Sequence, residues 1–318
     1  MGRHVVVGAG AVGRATADAL VDRGHHVVVV TRRGAGSEDG RVESVAADAS
    51  DPIALSMLVD GADALYNCAN PAYHRWAKDW PPLADSLLAA ATKSGAVLVA
   101  MSNLYGYGPV DHPMTTADPL AATFTNGRIR AEMWQRAKAA HDAGRARVTE
   151  ARASDFFGPG TEKTSHLSRA LPRLLAGRSV RVLGDPDQPH SWSYIPDVGA
   201  TMCALGTTEA AWGSAWHVPT NPPATQRWML ERVSDLAGLG TPKVSQIPNW
   251  LTRTLSLAWP TLRELRAVSY QFDAPFVIDA SATEAAFAIA PTPIDDALSA
   301  TVTAARASAA DRSTVVGR

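Results

Sequence analysis

A doubly wound α/β fold, with a parallel sheet and a smaller C-terminal lobe, is what three features of this chain predict. Apolar Val5-Val6-Val7 runs into Gly8-x-Gly10-x-x-Gly13 and directly on into a helical pattern. Strand and helix patterns then alternate through the first half. Hydrophobic residues make up 46% of 318, enough to cover both faces of a sheet.

In order, the first strand is followed by a helix over about 12–23, stopped at Gly24. His26 to Thr31 is the second strand, and a short third covers about 43–47, ending at Ala47-Asp48. A helix from Pro52 to Val59, a strand from Ala64 to Asn67 and an aromatic loop follow, the loop holding Pro71, Tyr73, His74, Trp76 and Trp80. Next come a helix over about 83–93 closed by Gly95, a fifth strand Ala96–Met101, a long helix over about 127–143 and a sixth strand over about 146–152. The second half is less regular. It reads as a helix over about 164–176, a strand Val180–Leu183, a helix from Asp197, a strand near Trp216–Val218 and a helix capped by Thr225 through Leu236. Ser281-Ala-Thr-Glu284 has the form of a capping box. The expected division is a dinucleotide-binding domain over 1–160, to which segments near 195–220 return, and a substrate-binding lobe over 161–318.

The glycine loop carries the strongest chemistry. Gly8 permits the tight turn, Gly10 lets backbone approach a pyrophosphate, and Gly13 lets helix and strand pack closely. The amides of Ala11, Val12 and Gly13 would sit at the positive end of the helix. Ligands in such sheets bind beyond the carboxyl ends of the strands, which lines up residues 8–13, 31–33, 48–49, 68–76 and 102–108 on one rim.

Composition excludes several classes. The formal net charge is −1 with no basic block, so nucleic acid is not an expected partner. No apolar run approaches the ~20 residues of a spanning helix, so neither is a membrane. Cys68 and Cys203 are far apart and no cleavable signal precedes the first strand, which leads to the expectation of a reduced, cytoplasmic protein. The nine histidines include one adjacent pair, His25-His26, and no Cys/His spacing suits zinc, so no metal is expected.

These residues resemble the extended short-chain dehydrogenase/reductase superfamily, in its NAD-dependent epimerase/dehydratase group. The likeness covers nearly the whole chain. It is carried by Gly8-x-Gly10-x-x-Gly13, Asp48 after the third strand, Ser102-Asn103-x-x-x-Tyr107-Gly108, Arg152-x-x-Asp155-Phe-Phe-Gly158-Pro159 and Tyr194-Ile-Pro-Asp197-Val. It implies a Rossmann domain, an adenine contact at Asp48 with Ala49 beside it, and a nicotinamide-side ribose near Ala69. For Asp48 the alternative is an ordinary turn residue before Ser50-Asp51-Pro52. A homodimer through the long helix and its neighbour is a further expectation.

An acidic residue closing the second strand would hold a ribose 2′-hydroxyl; this chain has Thr31-Arg32-Arg33 there. Two guanidinium groups suit a 2′-phosphate, so NADP(H) is expected over NAD(H). The alternative is a pair of solvated arginines.

The family's usual Tyr-x-x-x-Lys pair is missing. Aligned on Glu132, Phe124 stands at the Tyr position and Arg128 at the Lys position. Arg128 could hold a ribose hydroxyl, but Phe124 has no proton to give. Asn103 takes the place of the Ser or Thr that polarises the substrate oxygen. Tyr105 occupies the slot where sugar dehydratases hold an acid, and a cation at Arg128 would pull its pKa down. Tyr107 reads as packing more than chemistry. Tyr73, His74, Asp155, His190 and Trp192 are the other substrate-side candidates, although Asp155 reads equally as a structural cap and His74 as a surface residue. Trp76, Trp80 and Trp250 line an apolar cleft or belong to the core. Nucleotide-sugar members commonly grip the diphosphate with an Arg where this chain has His190.

The expected function is therefore an NADP(H)-dependent reductase of a small or apolar carbonyl or activated alkene. Asn103 and Tyr105 would act on the substrate oxygen and Arg128 on the ribose. The alternatives are an epimerase or dehydratase with transient hydride transfer, and a non-catalytic NADP-binding sensor.

Overall fold

The computed structural model describes residues 1–34, 40–161, 165–248 and 268–316. Seven parallel strands make the main sheet: β1 (Arg3–Val7), β2 (His26–Thr31), β3 (Val42–Ala46), β4 (Ala64–Asn67), β5 (Val97–Asn103), β6 (Arg147–Ala153) and β10 (Ala215–His217). Their order is β3-β2-β1-β4-β5-β6-β10, so the direction of winding reverses between β1 and β4. A ligand-binding crevice is expected at that reversal, beyond Val7 and its register partners Val30 and Asn67.

The inner strands β1, β2, β4, β5 and β6 are buried on both faces, which is why β1 and β2 read as unbroken valine runs. One face packs on α1 (Ala11–Val21) and α6 (Ile195–Thr207), through Ala17, Leu20, Val198 and Met202. The other packs on α2 (Pro52–Val59), α3 (Trp76–Ser94) and α4 (Thr125–Asp142), through Leu55, Val59, Trp80 and Leu87.

A second core gathers α5 (His166–Leu175), α7 (Gln226–Leu236) and α10 (Ile294–Val316) around Leu171, Leu174, Met229, Val233 and Leu298. Two short parallel pairs support it: β7 (Asp155–Phe157) with β9 (Trp192–Tyr194), and β8 (Val180–Val182) with β11 (Val244–Gln246). Helices α8 (Tyr270–Asp273) and α9 (Ser281–Phe287) lie between these elements in sequence.

Two local expectations change. Residues 76–82 are helical, not loop, although Pro81 and Pro82 lie inside α3. Trp76, Trp80, Leu83 and Leu87 recur at helical spacing and all are buried, so packing overrides the two prolines. Ser281 does not cap α9; it is the first helical residue, and Asp279 Oδ1 accepts from its amide at 2.9 Å. Thr225 does cap α7, accepting from the Trp228 amide at 3.0 Å. Among the described residues no helix is long and apolar enough to cross a membrane, and no three His, Cys, Asp or Glu side chains cluster to hold a metal ion.

Candidate active site

The loop from β1 to α1 is built to approach a ligand. Gly8 has φ +103°, a conformation costly for any residue with a Cβ, and its amide bonds Val30 O at 2.9 Å. A Cβ on Gly13 would be driven into the Gly8 carbonyl oxygen, so this glycine sets the contact of helix and strand. Gly10 caps α1 with extended backbone and no side-chain hydrogen bond, and a Cβ there would meet nothing within 4 Å. The first intrahelical bond runs from Arg14 N to Gly10 O, so the amides of Ala11, Val12 and Gly13 precede the helical ladder. Open space over three unclaimed amides at a helix N-terminus fits a dinucleotide diphosphate.

Along the same rim, Arg32 and Arg33 are exposed at the end of β2, and Asp48 is exposed beyond β3. Asp48 Oδ1 accepts from the Ser50 amide at 2.9 Å, an Asx turn, and Ala49 is buried behind it.

From the glycine loop a cavity of about 120 Å³ leads toward the second core. Val12, Ala69, Ser102 and Asn103 line its sheet end. Tyr73, Tyr105, Asp155, His166, Gln271 and Phe276 line the far end. The Tyr105 and Tyr73 hydroxyls are 3.1 Å apart. Asn103 Oδ1 accepts from the Tyr105 amide at 3.2 Å, which fixes the turn that aims this phenol. Burial, with Tyr73 and Asp155 nearby, pushes the Tyr105 phenol well above its usual range.

That shift is opposite to the expected one, because Arg128 is not beside Tyr105. Arg128 is exposed and donates to the Thr123 carbonyl. Helix α4 begins at Thr125 and buries Asn126, Gly127, Arg130 and Ala131. The pair turned inward at i, i+4 is therefore Asn126 and Arg130, two residues beyond the pair aligned on Glu132. Arg130 lines the cavity, donates to Met101 O at 3.3 Å and to Asn70 Oδ1 at 3.5 Å, and lies 4.4 Å over the Trp80 ring and 4.7 Å over that of Trp76. Burial lowers its guanidinium to about 10, which leaves it charged at neutral pH. Asn126 Nδ2 and Arg130 Nε are buried without a partner.

Three further candidates are displaced. His74 is exposed on a 3-10 turn, because Tyr73 stacks inward on Trp76 (4.9 Å between centroids) and turns its neighbour out. Trp192 is buried in the second core, its indole donating to Ala224 O at 2.8 Å. His190 is 2% exposed and stands behind Asp155: Nε2 is 2.9 Å from Asp155 Oδ2 and Nδ1 is 3.1 Å from Gln271 O. Tyr107 is locked away from the cavity, bonded by Arg152 Nη1 at 2.6 Å and His217 Nε2 at 2.8 Å. Trp76 and Trp80 are core; Trp250 lies outside the described residues.

Sequence reasoning missed Gln271, Phe276, His166 and Ser154. Gln271 Nε2 and Ser154 Oγ are buried, unpartnered and on the cavity wall. Such groups are costly unless a ligand pairs them.

Comparison with known proteins places this geometry. A profile of the NAD dependent epimerase/dehydratase family matches residues 4–215. The chain is 26% identical over 283 residues to a 2-alkyl-3-oxoalkanoate reductase of Stenotrophomonas maltophilia (strain K279a), covering 81% of this chain and 83% of that one. Its fold is similar to UDP-glucose 4-epimerase of Thermotoga maritima, with TM-score 0.78, 15% identity, and 96% and 99% of the two chains covered. It is similar too to a UDP-glucuronic acid 4-epimerase of Bacillus cereus, with TM-score 0.76, 16% identity, and 96% and 99% covered. With the glycine loop, the reversed strand order and the family match together, the chain belongs to the NAD dependent epimerase/dehydratase family and is one of its nicotinamide dinucleotide-binding enzymes.

Proposed function

We propose that this protein is an NADP(H)-dependent reductase of a small or apolar carbonyl compound or activated alkene. The observation that carries the reading is the lining of the cavity. Two phenol hydroxyls meet there beside Phe156 and Phe276, and among the described lining residues Arg130 is the single Arg or Lys. A diphosphate in this cavity would face the Asp155 carboxylate, and among the described lining residues the second lobe brings no Arg or Lys to offset it; a neutral ketone carries no charge to repel. The resemblance to a reductase of 2-alkyl-3-oxoalkanoates supports an alkyl-bearing oxo substrate.

When bound, a reduced nicotinamide supplies a hydride. The chain's own residues do the rest. The amides of Ala11, Val12 and Gly13 hold the diphosphate, and Ala69 and Val12 bound the approach to the nicotinamide end. Arg130, rather than Arg128, stands in the position to keep that end positive. Asn103, whose oxygen is engaged by Tyr105 N, offers its amide nitrogen to a substrate oxygen, and the Tyr105 hydroxyl offers a second donor. Arg32 and Arg33 favour NADP(H) by pairing with a 2′-phosphate, while Asp48 and Ala49 bound the adenine.

Incubation of NADPH with a panel of neutral ketones and enones tests this reading. One equivalent of NADPH consumed per alcohol or saturated product supports it. Isomerised or dehydrated product with no net consumption supports the epimerase or dehydratase alternative, which the fold neighbours favour. Tight binding with neither outcome leaves a sensor.

A further inference from the structure

We propose that Asp155 and His190 together hold the proton that the substrate oxygen takes up, in place of the family's tyrosine, where this chain has Phe124. The inference rests on the reductase reading above. It begins at the two nitrogens of the His190 ring. Nδ1 faces the Gln271 carbonyl oxygen at 3.1 Å, and Nε2 faces Asp155 Oδ2 at 2.9 Å. A carbonyl oxygen and a carboxylate oxygen are both acceptors. A neutral imidazole has one N–H and satisfies one of them. The pair therefore holds one proton more than imidazole plus carboxylate, on Nε2 or on Oδ2.

The surroundings keep that proton in place and give it one way out. The ring is stacked between Phe272 and Phe276, each 5.2 Å away between centroids, at 12° and 28°. Trp192 closes a third side at 4.7 Å. His190 is 2% exposed and does not line the cavity, but Asp155 does. Burial would raise the Asp155 carboxyl, yet the His190 hydrogen bond and the adjacent His166 and His190 rings outweigh it and hold it below the usual range. Asp155 is thereby held as a carboxylate, a hydrogen-bond acceptor facing Nε2.

The other titratable groups facing the pair do not compete for this role. His166 Nε2 on α5 is 4.0 Å from Asp155 Oδ1, and burial lowers its pKa, so it is neutral near pH 7. Arg169, also on α5, acts on His166 and Tyr73. Tyr73, Tyr105 and Tyr270 feel Asp155, and burial raises all three, so these phenols keep their protons.

The step balances as follows. The carbonyl carbon gains a hydride from the reduced nicotinamide, and the C=O π pair passes to oxygen. The Nε2 proton of His190 passes to the Asp155 carboxylate, and the carboxyl so formed passes a proton on to that oxygen and is left ionised again. His190 is left neutral with Nδ1–H on the Gln271 carbonyl, and the pair reloads from solvent after product leaves.

Two measurements test this. Nitrogen-15 NMR of the histidine rings, on protein without added substrate near pH 7, should find His190 protonated on both nitrogens. In Asp155→Asn, whose amide can donate to Nε2, it should find Nδ1–H alone. A single neutral tautomer in the wild type, with Asp155 ionised, overturns the proposal whatever the reaction is. Single-turnover NADPH oxidation with a neutral ketone should then slow by about 100-fold or more in Asp155→Asn and in His190→Gln. NADPH affinity should hold, and the wild-type pH dependence should be lost. Wild-type rates and pH profile in either folded variant assign the pair a structural role and overturn the proposal. No turnover of any ketone by the wild type overturns the reductase reading and the acid role with it, and the NMR result separates the two failures.

Discussion

The Tyr105 hydroxyl sits 3.1 Å from that of Tyr73, and the two rings converge from the β5 and β4 loops onto one cavity. Tyr105 is 7% exposed, so this phenol pair is held by packing against Trp76 and Phe124 rather than by solvent. Replacing Tyr105 with Phe keeps that packing and removes one donor. Turnover should fall by about 100-fold, the usual loss for a donor aimed at a developing oxyanion. Binding of NADPH, followed by its fluorescence, should be unchanged.

Arg130 and Arg128 should separate cleanly. Arg130→Met keeps much of the stem over Trp80 but removes the charge, and NADPH should bind about tenfold more weakly. Arg128→Ala, at an exposed position, should alter binding and turnover by less than about twofold. Equilibrium titration of the two variants checks this; the reverse ranking would restore the pairing aligned on Glu132.

The glycine loop has a structural cost as well as a binding role. Gly13→Ala puts a methyl group into the Gly8 carbonyl, and overpacking of this kind costs roughly 1–3 kcal/mol. Urea denaturation should report that loss, and dinucleotide titration should report weakened binding, because the α1 amides move with the helix.

Much of this was legible from the sequence, for identifiable reasons. The β1 loop is local: three glycines within six residues dictate both a turn and a close approach, so it can be read without knowing the rest of the fold. The strand runs are legible because burial on both faces leaves valine patterns that little else explains. Arg130 is hidden from the sequence because an acidic residue such as Glu132 does not fix a helix register, whereas the burial of Asn126 and Arg130 at i, i+4 does. Gln271 and Phe276 were missed because they reach the site from more than 100 residues beyond β6, through contacts that no local pattern encodes. Asp155 and His190 were each singled out, but their contact joins residues 35 apart and only the fold shows it.

Stability should also depend on pH, through His217. This ring is fully buried, with Nε2 at the Tyr107 hydroxyl (2.8 Å) and Nδ1 at Asp279 O (2.9 Å), so the neutral ring satisfies both. Burial lowers its pKa to about 4. A base whose pKa is depressed on folding stabilises the fold fully above the unfolded value near 6.5, and that stability is lost as pH falls toward about 4. The loss from His217 is roughly 3 kcal/mol across that window. His4, also lowered to about 4, acts in the same direction. Urea midpoints from pH 7 to pH 4 should fall accordingly, and less steeply in His217→Gln.

Cofactor choice should reside in the pair at the end of β2. Arg32→Ala with Arg33→Ala should weaken NADPH by about 10- to 100-fold and leave NADH nearly unchanged, since only the former carries a 2′-phosphate. Calorimetric titration of both cofactors on both proteins checks this.

The central claim, net reduction of a neutral carbonyl compound, is tested most directly by a single-turnover experiment. Enzyme preloaded with stoichiometric NADPH is mixed with a neutral alkyl ketone, and nicotinamide absorbance and product are followed together. The account predicts one equivalent of alcohol formed for each NADPH lost, in step. Bound NADPH that stays reduced across the panel, or substrate isomerised with the cofactor returned unchanged, would contradict it.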